Sequence, residues 1–135
     1  MRGVTEFQRY LLGYQVDLKI LQDFLKEFPE AMYEGIIYRG MYFSHYPAFA
    51  EISQTNLCSW SSDRDTAALF ASHGKYGFIL SKKSRGYDVH KILDILKEKG
   101  ECSERLKNYR LSVSEHEVLD SLNIGEVKIQ RVGLC

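Results

Sequence analysis

Glu126-Val127-Lys128-Ile129-Gln130-Arg131-Val132 alternates charged or polar side chains with aliphatic ones. That two-residue period predicts a strand with one wet face. Just upstream, Glu117-Val118-Leu119 predicts another, so the chain closes in β-structure. Working back, Tyr76-Gly77-Phe78-Ile79-Leu80, Leu57 to Ser61, and Gly35-Ile36-Ile37-Tyr38-Arg39-Gly40 are short apolar runs that also read as strands. The first part of the chain has a different period. Between residues 5 and 28, Tyr10, Tyr14, Leu18, Leu21, Leu25 and Phe28 form a helical stripe, with Thr5 and Gln8 as its capping box and Pro29 as its end. Ser62 is the expected cap of a helix carrying Ala67 to Ala71, which ends near His73-Gly74. Val89 to Lys99 is amphipathic and Gly100 follows it as a C-cap. A short helix is expected around 47–53, and residues 101–113 read as a charged loop or frayed helix. Helices early and strands late predict an α+β fold rather than a doubly wound sheet.

At 135 residues the chain fits one domain, with a helical part at about 1–33 and a β-rich part at about 35–135. A hydrophobic content of 44% suits a packed core without metal or disulfide staples. Formal net charge is zero, which argues against a protein built to grip nucleic acid or anionic lipid. The charge is uneven: residues 82–110 hold nine Lys/Arg and five Asp/Glu, so that stretch is +4 and the rest is −4. Such a stretch is either a solvated helix face or a surface that meets phosphates. Cys58, Cys102 and Cys135 have no paired spacing and no Cys/His cluster suggests zinc, so no metal and a reducing compartment are expected. The opening Met1-Arg2-Gly3-Val4-Thr5-Glu6 turns polar at once, and no apolar run approaches the roughly 20 residues of a spanning helix. The expectation is a soluble, cytoplasmic protein with no membrane partner.

Three separated patches carry chemistry. Arg39 ends an apolar strand and precedes Gly40, so its guanidinium is placed to fork onto a phosphate while Gly40 allows close approach. Alone, it reads as a surface arginine at the end of a buried strand. Ser59 and Ser61 flank Trp60; on a strand both hydroxyls face one side and the indole the other. Glu115 and Glu117 likewise share one side of an extended chain, with His116 opposite and without a role. Paired carboxylates suit glycosyl chemistry, where one stabilises positive charge developing on a sugar. Alone, they read as two solvated acids on a hairpin.

Taken in order, these patches resemble the mono-ADP-ribosyltransferases, in particular the cholera-toxin-like clade named for its Arg, Ser and Glu motifs. The likeness spans about residues 35–132. Ser59-Trp60-Ser61 stands where that family carries Ser-Thr-Ser, Ala67 and Phe70-Ala71 match the helix that follows, and Glu115-His116-Glu117 matches its paired glutamates. Trp60 departs from the family's threonine.

The resemblance implies two packed, mostly antiparallel β-sheets with flanking helices around an NAD cleft. It implies that Arg39 and Gly40 meet the NAD phosphates, that Ser59 steadies Glu117 with Ser61 beside it, and that Glu117 bonds the ribose hydroxyl. Glu115 would direct an arginine acceptor, since glutamine there accompanies other acceptors. A guanidinium pKa above about 12 bars prior deprotonation, so Glu115 would orient the acceptor and take its proton as the bond forms. The turn Tyr109-Arg110-Leu111-Ser112-Val113-Ser114 would contact the target, and Tyr87 or Phe78 either stacks on nicotinamide or packs in the core. NAD is then a co-substrate, held without a GxGxxG loop. The partner is a protein, a host protein if the chain is a compact effector or virus-encoded enzyme. Three alternatives stay open: transfer to water, as an NAD glycohydrolase; another acceptor, such as nucleic acid or a small molecule; and a non-catalytic binding module that inhibits by contact.

Overall fold

A computed structural model describes residues 3–49, 52, 54–101 and 116–132. The chain is a small α+β domain whose described part has four α-helices and one six-stranded antiparallel sheet. Helices α1 (Val4–Leu11) and α2 (Leu18–Leu25) come first, followed by strands β1 (Ile36–Phe43) and β2 (Thr55–Ser61). Helix α3 (Arg64–Ala71), strands β3 (Tyr76–Lys83) and β4 (Tyr87–Asp88), helix α4 (Val89–Glu98), and strands β5 (Glu117–Leu122) and β6 (Lys128–Val132) complete it.

The helical stripe of residues 5–28 is two helices, not one. Gly13 takes a left-handed φ of +86°, which turns the chain after α1. Asp17 then starts α2 by accepting the N–H groups of Lys19 at 3.0 Å and Ile20 at 3.2 Å. Glu6 on α1 accepts the Asp17 N–H at 3.0 Å, so the first helix braces the cap of the second. The break explains why Tyr14 is 55% exposed while Leu21, Leu25 and Phe28 are buried. Thr5 and Gln8 form no cap; Gly3, at a φ of +97°, takes the N-cap position without a side-chain bond. A Cβ at Gly3 would strike the Phe24 side chain at 2.7 Å, so this glycine is also a packing requirement. Of the short helix expected around 47–53, the described residues hold a 3-10 turn at Phe49, where the Ile52 N–H donates to the Phe49 carbonyl at 3.1 Å; residues 50, 51 and 53 lie outside the described residues.

Strand order is β4-β5-β2-β1-β3-β6. β1 pairs with β3 from Ile36↔Lys83 to Phe43↔Tyr76, but it meets β2 at the single pair Tyr38↔Ser61. Where two packed sheets were expected, the described strands form one sheet of two three-stranded halves joined at that pair. β6 also differs from expectation. It is an edge strand with Lys128 to Arg131 all exposed, so both of its faces are wet.

Both faces near the join carry core. On one side, Phe7, Phe24 and Phe28 from the first helices meet Ile92, Leu93 and Leu96 of α4 over Leu57 and Leu119. Phe24 packs its ring 5.4 Å from Phe7 and 5.0 Å from Phe28. On the other side, Ile37, Cys58, Trp60, Leu80, Val118 and Leu122 form a second cluster. Helix α3 packs over β1 and β3 through Ala67 and Ala71. Glycines make that approach possible: a Cβ on Gly40 would collide with the Ala67 carbonyl, and one on Gly77 with that of Ala71. No helix among the described residues is long and apolar enough to cross a membrane.

Candidate active site

The junction of the two half-sheets is where the arginine, serine and glutamate patches meet. β2 and β5 pair Ser59 with Leu119 and Ser61 with Glu117. Residues opposite one another in an antiparallel pair share a face. Ser59, Ser61 and Glu117 therefore point to the same side. The Ser59 hydroxyl donates to Glu117 Oε2 at 2.7 Å, fixing the carboxylate between strands. Trp60 is buried on the opposite face, as the alternation predicted.

Arg39 spans the gap left where β1 parts from β2. Its Nη1 donates to the Ser59 carbonyl at 2.6 Å, a charge-assisted bond across the join. Its Nε is buried and has no hydrogen-bond partner among the described residues. A cavity of about 390 Å³ opens here, with Arg39, Gly40, Ser59, Ser61 and Glu117 among its lining residues. Helix α3 supplies one wall through Thr66, Ala67 and Phe70. The volume lies within the roughly 300–1,000 Å³ range of small-molecule sites.

The turn into α3 is shaped by residues other than the expected cap. Asp63, not Ser62, caps the helix: its carboxylate accepts the Asp65 N–H at 3.2 Å and the Thr66 hydroxyl at 2.8 Å. The Thr66 hydroxyl, aided by the Asp65 N–H and nearby His116, holds the Asp63 carboxyl below the usual range. Ser61 Oγ accepts the Asp63 N–H at 3.0 Å, so this serine shapes the turn as well as lining the cavity. The Ser62 N–H donates to the His116 carbonyl at 2.8 Å, tying the turn to the start of β5.

Four of the residues expected at the site, Arg39, Ser59, Ser61 and Glu117, converge with Gly40. Glu115 and the turn Tyr109 to Ser114 lie outside the described residues. Gly40 admits the backbone of α3. His116, expected to point away, lines the cavity. Phe78 is buried, with Phe49 at 4.8 Å, and Tyr87 packs against the helical core; neither lines the cavity. The aromatic at the lip is Phe70, which is 51% exposed.

Tyr10 is the residue the sequence pattern concealed. It reads as one member of an apolar stripe, and it packs, half-buried, against the helical core that includes Leu57 and Leu119. Burial, the neighbouring Cys58 and the Glu117 charge push its pKa up; Ser59 and Arg39 pull it down. Burial likewise raises the Cys58 thiol, against the pull of Arg39. The signal available in sequence was a tyrosine where leucine would pack as well, since a tyrosine brings a polar tip.

In the basic stretch Lys83, Arg85, Lys91, Lys97 and Lys99 are exposed, and Lys82 is the exception among its described lysines and arginines. Lys82 is buried, pairs with Asp120 at 3.3 Å and lies 5.1 Å from the centre of the Trp60 ring. Among the described residues no group of three His, Cys, Asp or Glu side chains is placed to hold a metal ion. Compared with protein-family models, with curated proteins and with solved structures, the chain matches none.

Proposed function

We propose that this single domain is an NAD-dependent mono-ADP-ribosyltransferase that modifies protein arginines. The reading is carried by one observation: the 2.7 Å bond from Ser59 to Glu117 stands beside the Arg39 guanidinium at one cavity. The residues suit the dinucleotide. A guanidinium with an unpartnered Nε faces the phosphates' need for donors, and a carboxylate oriented by a serine faces the ribose.

In this mechanism the bond from the ribose anomeric carbon to nicotinamide breaks, and nicotinamide leaves with the electron pair. Positive charge builds on the sugar, and the fixed Glu117 carboxylate stabilises it as it forms. Ser59 costs the carboxylate its rotational freedom before reaction, so less reorganisation remains at the barrier. Arg39 holds the phosphates. An acceptor arginine nitrogen bonds the anomeric carbon and gives up a proton, with Glu115 as the group that receives it. The acceptor is a host-cell protein in the cytoplasm if the chain serves as an effector or viral enzyme.

The test is incubation with labelled NAD and a lysate, followed by mass spectrometry of the modified proteins. Glu117→Gln should lower transfer about 100- to 1,000-fold, the scale of losing one such stabilising group. Undiminished transfer in that variant refutes the assignment. Free ADP-ribose released at the same rate with and without acceptor identifies a glycohydrolase instead.

A further inference from the structure

We propose that the face of β1 turned away from α3 carries a second binding site, which takes a carboxylate with an apolar body and holds it by Arg39. Arg39 lines two cavities. The first is the candidate active site; the second, of about 560 Å³, has Met41, Phe43 and Leu122 among its walls. Among the described residues Arg39 alone belongs to both. The cavities lie on opposite faces of β1. Tyr38 packs toward α3 with Ala67 and Ala71, whereas Met41 packs with Ile37 and Trp60 in the second cluster.

The split in the sheet makes this groove. β1 meets β2 at the pair Tyr38↔Ser61 alone, and at the other end of β2 Thr55 pairs with Leu122 of β5. Past Arg39, β1 is therefore unpaired on that side among the described residues. Pro47, Ala48 and Ile52, from the connection between the two strands, border the opening.

The lining specifies the occupant. Apart from Arg39 and Thr55 the walls are apolar, which suits an apolar body. Thr55 spends its hydroxyl locally: it donates to the Leu57 carbonyl at 3.1 Å and accepts the Leu57 N–H at 3.3 Å. The guanidinium is the polar group left for a ligand. Its bond to the Ser59 carbonyl uses one N–H, and its Nε has no partner among the described residues. A carboxylate carries a single charge, which one guanidinium matches with paired donors. A phosphate monoester carries more than one, and the excess would stand unpaired among apolar walls. The ligand is then a hydrophobic monocarboxylate.

The consequence for turnover rests on the transferase reading; the binding does not. A carboxylate on Arg39 takes donors that the NAD phosphates need in the first cavity. Octanoate and 1-octanol are the probes, titrated calorimetrically into the full chain without NAD. Octanoate should bind about ten- to a hundredfold tighter than the alcohol, the worth of a hydrogen bond to a charged group. Ala48 is exposed at the groove's border, so Ala48→Trp should fill the opening and weaken octanoate at least tenfold at unchanged Tm. Octanoate that binds no tighter than octanol, or equally well to Ala48→Trp, overturns the proposal.

In NAD cleavage, octanoate should raise KM for NAD and leave kcat alone, and Ala48→Trp should suppress that rise while its own turnover matches wild type. Bound octanoate that leaves KM unchanged overturns the sharing of Arg39. Octanoate binding as expected in a protein that never cleaves NAD supports the second site and removes the transferase reading. Cleavage of NAD without octanoate binding does the reverse.

Discussion

Replacing Gly40 by alanine adds one methyl group at the point where α3 crosses β1. That methyl would overlap the Ala67 carbonyl and come within 3.0 Å of the Ala71 nitrogen. Both are backbone atoms, so no side chain can swing aside and the helix itself must shift. Overpacking of this kind costs about 1–3 kcal/mol. Alanine also narrows the unfolded ensemble, which returns about 0.4–1 kcal/mol. The net loss is then about 1–2 kcal/mol. At about 2.1 cal/mol/K per residue, the unfolding entropy of 135 residues is about 0.28 kcal/mol/K near the midpoint. Tm should therefore fall by about 4–7 °C. The displaced helix carries Thr66, Ala67 and Phe70, one wall of the cavity, so turnover should fall even at temperatures where the variant is folded. Calorimetry and a turnover assay well below Tm read the two effects separately. Gly13→Ala is the control: its Cβ meets nothing within 4 Å, its cost is confined to the left-handed backbone, and turnover should not change. A Gly40→Ala protein that melts with wild type and turns over normally refutes the steric argument.

The buried pair of Lys82 and Asp120 gives a second test. Their side chains are 5% and 7% exposed at 3.3 Å, and Asp120 also accepts the Arg85 N–H at 2.8 Å. Lys82→Met should cost about 3–5 kcal/mol by urea denaturation, because it strands a buried carboxylate. Lys82→Met with Asp120→Leu should recover part of that loss, and failure to recover any would locate the cost in packing against Trp60 instead. The helix cap at Asp63 gives a pH test. Its carboxyl is held below the ordinary value, so its contribution is present above about pH 4, the unfolded value, and fades as pH falls through the native one. Asp63→Asn keeps an acceptor for the Asp65 N–H but cannot titrate, so acid-unfolding curves of the two proteins should converge as pH falls below that window. Curves that stay parallel throughout would remove Asp63 from the acid response.

The α+β class, the strands around Arg39, Ser59 and Glu117, and the inward turn of Trp60 were all legible in the sequence. Each follows from local periodicity, which a residue carries with it wherever the chain goes. Helix ends were less legible. Thr5 with Gln8 and Ser62 are ordinary cap residues, but Gly3 and Asp63 won those positions. Gly3 was decided by the approach of Phe24, and Asp63 by a turn in which Ser61 Oγ takes its N–H. The break at Gly13 was hidden because residues on both sides keep the same apolar spacing.

Sequence alone determined which chemical groups this protein can bring to bear: a guanidinium, a hydroxyl and a carboxylate, each at a strand edge with its direction set by the pleat. Tertiary structure alone decided how they meet. Register between β2 and β5 brings Ser59 within 2.7 Å of Glu117 across 58 residues of chain. The single pair joining β1 to β2 leaves a gap that Arg39 crosses. Packing of α1 sets Tyr10 against the core that includes Leu57 and Leu119. Pattern in sequence encodes the face on which a side chain stands, whereas distance between elements comes from how the cores beneath them pack.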